Sequence, residues 1–202
     1  MEKLSLREQI QQMREDSILS AMNRLLAEKG FELMTLDELA SQVGVSKASL
    51  YKRYGSKEAL AAAAMVRVLD QALAQVQVLA PVVSPRERLR GMARWAMSVQ
   101  LAGDMPSLPS QNSSLRQALM ADGPYMDRLV RLSDELGAWI AQAQAEGELG
   151  SDLPPELVLY TLFARACDPV LGLLKASGQH SDEQIITLLL RTCFDGLGAT
   201  RS

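Results

Sequence analysis

Apolar positions fall at helical spacing almost from the start of the chain. Ile18, Ala21, Met22, Leu25 and Leu26 sit at i, i+3, i+4, i+7 and i+8, one apolar stripe on a helix predicted over residues 6–29. Gly30 follows, and the apolar Phe31 after it fits a glycine cap whose next side chain folds back onto the helix. Thr35 and Glu38 have the T-x-x-E spacing of a capping box and open a short second helix with Leu36, Leu39, Ala40 and Val43 facing inward. Gly44 stops it. Ser46 caps a third short helix that runs through Arg53, Gly55 ends that one, and Ser56 caps a fourth. With Glu58 in its first turn and alanines from Ala59 to Ala64, the fourth helix should continue to about Leu79.

Pro81 and Pro85 then break the chain, and the composition shift after them marks a second region. Further helices are predicted over Pro85–Leu101, Ser114–Ala121, Pro124–Glu146, Pro154–Ala176 and Ser181–Leu197. They are joined by polar or glycine-rich linkers at Gly103–Ser110, Gly147–Asp152 and Ser177–His180. Pro169 sits inside the fourth of these and predicts a kink near Arg165, four residues back. Without an alternating strand pattern of useful length, the fold class is all-α, with a head over residues 1–56 (motif about 35–54) and a body over residues 57–202.

Composition changes this picture little. At 202 residues, 48% of them hydrophobic and only 4% aromatic, the chain can bury a core without metals or crosslinks. Cys167 and Cys193 have neither the density nor the spacing of a disulfide framework, and His180 is the one histidine, so no metal site is expected; a redox role for either thiol stays open. The first residues lack the apolar stretch of a signal peptide, and with no long uninterrupted apolar run no membrane partner is expected and a cytoplasmic location is.

Charge matters more. The net charge of −3 argues against nucleic acid, but its distribution argues the other way. Lys47, Lys52, Arg53 and Lys57 lie between Gly44 and Lys57 with no acidic residue among them, a local phosphate-binding surface on an acidic chain. Two capped short helices with a glycine turn, the second basic, have the punctuation of a helix-turn-helix. Leu39, Val43, Val45 and Leu50 would fix the crossing of the two helices, presenting the second to a major groove about 12 Å wide. Ser46, Ala48, Ser49, Tyr51, Lys52 and Arg53 would face base edges and phosphates, and Lys47 and Lys57 would hold phosphates.

At this point the chain resembles the TetR (tetracycline-repressor-like) family. The resemblance runs through Arg14, Ile18, Leu19 and Ala21, then Leu25 to Phe31, then Thr35 to Ala40, and Val43 to Leu60. It implies a three-helix DNA-binding head, a connecting fourth helix, and a homodimer reading a roughly palindromic double-stranded operator. Its DNA contacts carry over onto Thr35, Lys47, Ala48, Ser49, Tyr51, Lys52, Arg53 and Lys57, while Tyr54 packs on the first helix. Many members place an aromatic residue and a histidine directly after the tyrosine; Lys52 and Arg53 stand there instead.

Beyond residue 70 the family pattern fades. Met92, Trp95, Met97, Tyr125, Met126, Trp139, Phe163 and Cys167 form a store of adaptable and aromatic side chains for a small-molecule effector pocket, though the same residues suit a plain bundle core. Leu157, Tyr160, Leu171, Leu174, Ile185, Leu189 and Phe194 make the last two helices apolar over more than one face and are the candidates for a four-helix dimer interface. No catalytic residues or cofactor are expected, since no nucleophile motif or phosphate loop occurs. The expectation is a sequence-specific transcriptional regulator, a repressor released by its effector; the alternative is a non-specific DNA-binding or protein-interaction module without one.

Overall fold

A computed structural model describes residues 5–106 and 113–197 of the chain; part of the expected Gly103–Ser110 linker lies outside them. The elements are α1 (Leu6–Leu33), α2 (Leu36–Val43), α3 (Lys47–Tyr54), α4 (Lys57–Leu79), α5 (Pro85–Leu101), α6 (Ser114–Ala121), α7 (Gly123–Ala145), α8 (Pro155–Ala164), α9 (Pro169–Ser177) and α10 (Asp182–Phe194). Among the described residues there is no strand.

Local chemistry explains the boundaries. Gly30 takes φ 72°, so the regular part of α1 ends at Lys29 and Phe31 turns back into the core. Three helices open on reciprocal capping boxes, Ser5 with Glu8, Thr35 with Glu38, and Ser181 with Gln184. The N-terminus of α5 is held by Ser84, whose Oγ accepts from the Glu87 amide (3.1 Å) and donates to Glu148 (2.8 Å); Glu148 also accepts from the Arg86 amide (2.9 Å). That amide bond, with the serine hydroxyl, holds the Glu148 carboxyl below its ordinary value.

Two compact units result, and they do not follow chain order: Met1–Val68 with Pro106–Met126, and Leu69–Met105 with Asp127–Ser202. In the first, Met22, Leu25, Leu26, Leu39, Leu50 and Leu60 form a buried core that also takes in Leu115 and Leu119 of α6. A helix expected in the body thus completes the core beneath the short helices. Ser114 donates to Glu58 (2.9 Å) and Asn23 donates to the Ala64 carbonyl (3.3 Å), tying α6 and α1 to the first half of α4. The second unit buries Ala72 and Val76 of α4 with Leu89, Met97, Leu136, Ile140, Ile185 and Leu190.

The predicted kink is a full break. After α8 the chain makes a 3₁₀ turn (Arg165–Cys167), and Pro169 begins α9, since proline cannot donate to the carbonyl one turn back. Asp168 caps α9 by accepting from the Val170 amide (3.0 Å), and its own amide and carbonyl are bracketed by the Gln100 side chain (3.1 and 3.0 Å). Its carboxylate, 4% exposed, meets Arg165 at 2.6 Å. Both thiols are half-buried, and that burial raises them above their ordinary values.

Several expected site residues lie elsewhere than the pattern implied. Leu171, Ile185 and Leu189 are buried in the core of the second unit. Leu174 and Phe194 are partly buried against the same core, whereas Leu157 (52% exposed) and Tyr160 (67%) face outward. Of the pocket candidates, Met92, Met97 and Trp139 are core residues, with Trp95 and Phe163 partly buried against them. Tyr125 and Met126 fall in the first unit, where Tyr125 packs on that unit's core. Two stretches, Lys57–Leu79 and Pro155–Ser177, are long and apolar enough to cross a membrane by composition alone; the first carries core residues of both units and the second is interrupted by the Arg165–Asp168 ion pair.

Candidate nucleic-acid interface

The short helices α2 and α3 owe their geometry to one glycine and one leucine. Gly44 takes φ 66° at the end of α2, a left-handed conformation costly for other residues, and the Val45 amide closes back on the Ala40 carbonyl (3.1 Å). The chain thereby reverses within two residues, and Ser46 caps α3 by accepting from the Ser49 amide (3.1 Å). Leu50 is the single fully buried residue of α3, seated in the core with Leu36, Leu39 and Ala40 of α2; Val43, Val45 and Tyr54 are partly buried around it. Everything else on α3 is left outward.

That outward set contains Lys47, Ala48, Ser49, Tyr51, Lys52 and Arg53, all exposed, with Ser46 exposed at the cap. The expected helix-turn-helix residues are therefore brought together on one short helix and its cap, with the apolar side locked beneath. Thr35 lies one helix away, and its hydroxyl is engaged with Glu38, accepting from the Glu38 amide (3.2 Å) and donating to the carboxylate (3.1 Å). Lys29 also reaches Glu38, and this bond, with the Thr35 amide, holds the Glu38 carboxyl below its ordinary value.

The cations are not equally placed. Lys47 meets Asp37 of α2 at 2.7 Å, and that hydrogen bond holds the ammonium above its ordinary value. Arg53 pairs with Glu15 of α1 and lies 5.7 Å from the Tyr54 ring. Lys57, half-buried, donates to the Phe31 carbonyl and stands 4.3 Å from that residue's ring. For Lys52 no such partner occurs among the described residues. Sequence reasoning missed Asp37 and Glu15 as partners, because pairs separated by 10 and 38 residues carry no spacing signal.

A capped, leucine-anchored helix presenting small, hydroxyl and cationic groups beside a tight glycine turn defines a helix-turn-helix DNA-binding protein. Residues 18–64 match the family described as bacterial regulatory proteins, tetR family. The chain is similar to the HTH-type transcriptional regulator YdeS of Bacillus subtilis (strain 168), 24% identical over 195 residues that cover 91% of this chain and 89% of that one. Among solved structures it is similar to the transcriptional regulator FadR from Bacillus subtilis in complex with stearoyl-CoA (TM-score 0.69, 16% identity, 91% of this chain and 99% of that one). It is also similar to AibR in complex with isovaleryl coenzyme A and operator DNA (TM-score 0.62, 21% identity, 90% and 98%). Residues 18–64 thus carry the helix-turn-helix region that the TetR family of transcriptional regulators shares.

Proposed function

We propose that the chain is a cytoplasmic, homodimeric repressor that reads a palindromic operator with α3 and leaves it when a small-molecule effector binds the second unit. The observation that carries the reading is α3 itself, whose one buried residue, Leu50, anchors it while six neighbouring side chains point outward. Ala48, Ser49, Tyr51 and Lys52 read base edges and nearby phosphates, Thr35 and Ser46 meet the backbone, and Lys47, Arg53 and Lys57 join them after giving up part of their present contacts. Two such helices one turn of DNA apart, roughly 34 Å, require two chains. Leu157, Tyr160, Val170, Leu173 and Leu188 are the exposed large apolar residues of α8, α9 and α10 and suit a contact between chains.

For the effector, the acyl-CoA complexes of FadR and AibR favour an acyl thioester. Met92, Trp95, Met97, Trp139, Phe163 and Cys167 are the side chains of the second unit that suit its acyl chain. The effector must prefer the state that does not bind DNA by about 3 kcal/mol to weaken operator binding roughly 150-fold. Because α4 runs through both units, a shift at its far end is the route by which the spacing of two heads would fail.

The test is fluorescence anisotropy on a labelled palindrome with added short- and long-chain acyl-CoA, with sedimentation of the complex. Two chains per duplex and release by one chain-length class support the reading. Equal affinity for unrelated duplexes would instead identify a non-specific module, and discrimination without release would remove acyl-CoA as the effector class.

A further inference from the structure

The recognition helix is bracketed by acids from both neighbouring helices: Asp37 of α2 holds Lys47 at its first turn, and Glu15 of α1 holds Arg53 at its last. These two contacts neutralise half of the four cations between Gly44 and Lys57. The groups involved remain partly exposed, from 31% for Arg53 to 69% for Asp37, so water and phosphate can reach them.

We propose that Glu15 and Asp37 are affinity-setting residues that act as internal phosphate surrogates. In the DNA-free protein each occupies a cation that the DNA backbone would otherwise take, and each must be displaced, or left facing a phosphate, when DNA arrives. The inference rests on the assignment of α3 as the DNA-reading helix. Glu15 lies three residues before Ile18, the first buried residue of α1, and its side chain is 41% exposed. The same displacement is required on every duplex. The two acids therefore lower absolute affinity and leave the ratio between operator and unrelated DNA unchanged.

The magnitude follows from what exposed ion pairs contribute: losing one should change affinity by about two- to five-fold. Lys47 and Arg53 are about 9 Å apart along the helix axis, far enough for the two effects to multiply. Both gains should shrink as salt rises, since the charges are screened.

The experiment compares wild type with E15Q, D37N, the double variant and E32Q by anisotropy on a palindrome and a scrambled duplex at two salt concentrations. Glu32 is exposed and has no ion pair among the described residues, so E32Q changes net charge by the same amount without releasing a cation. Circular dichroism confirms that each variant is folded. Tighter binding of both duplexes by E15Q and D37N, multiplied in the double variant and absent in E32Q, is the expected result. Unchanged or weaker binding by E15Q and D37N, or an equal gain in E32Q, overturns the proposal. Wild type that fails to prefer the palindrome refutes sequence-specific reading instead, a separate outcome visible in the same data.

Discussion

Leu50→Ala is the substitution through which the interface stands or falls. Leu50 is 2% exposed and is the only fully buried side chain of an eight-residue helix, so α3 has little else to hold it in place. Truncation removes three buried carbons, worth about 2.4 kcal/mol at roughly 0.8 kcal/mol each. The cavity left in this core raises the cost to about 3–4 kcal/mol, within the range of buried leucine truncations. An isolated helix of eight residues is not stable in water, so loss of this anchor unfolds α3 before the rest of its unit. Both tryptophans, Trp95 and Trp139, lie in the second unit, so their fluorescence reports the wrong region. The suitable assay is hydrogen exchange resolved by segment, paired with DNA binding. Amides of α2 and α3 should exchange about a hundred-fold or more faster, operator binding should fall with them, and α5, α7 and α10 should keep wild-type protection. A loss below about 1 kcal/mol with normal DNA binding would refute the packing argument.

Other substitutions test other links. Lys52→Ala should lower the slope of log affinity against log salt by about one with no change in thermal stability, because no other side chain depends on it; an unchanged slope places Lys52 off the DNA. Asp168→Asn should destabilise the second unit by about 3 kcal/mol, since the Arg165 guanidinium, 23% exposed, loses its partner; denaturant unfolding followed by tryptophan fluorescence reads this directly. Because burial raises both thiols, Cys167 and Cys193 stay protonated at neutral pH and should alkylate slowly there, with rates still climbing above pH 9. Rapid reaction at pH 7 would contradict that environment.

Much of this fold was legible because its signals are local. Capping boxes, glycine stops and prolines mark helix boundaries by chemistry that acts within four residues, and the helix-turn-helix concentrates three such signals between Thr35 and Gly55. Legibility ended where distant parts of the chain meet. Nothing at Leu115 or Leu119 says that α6 completes the core under α2 and α3, and nothing in the apolar run of α10 tells Ile185 and Leu189, which face inward, from the exposed Leu188. The same limit applied to charge. The sequence marks Lys47 and Arg53 as cations, but only the fold puts Asp37 and Glu15 against them.

The central claim is that α3 reads a specific sequence as one half of a symmetric pair. The measurement that tests it most directly is selection of bound duplexes from a random DNA library at physiological salt, followed by sequencing. Enrichment of one palindrome with half-sites a helical turn apart is the predicted result, and no enrichment by folded, dimeric protein, with or without acyl-CoA, would contradict it.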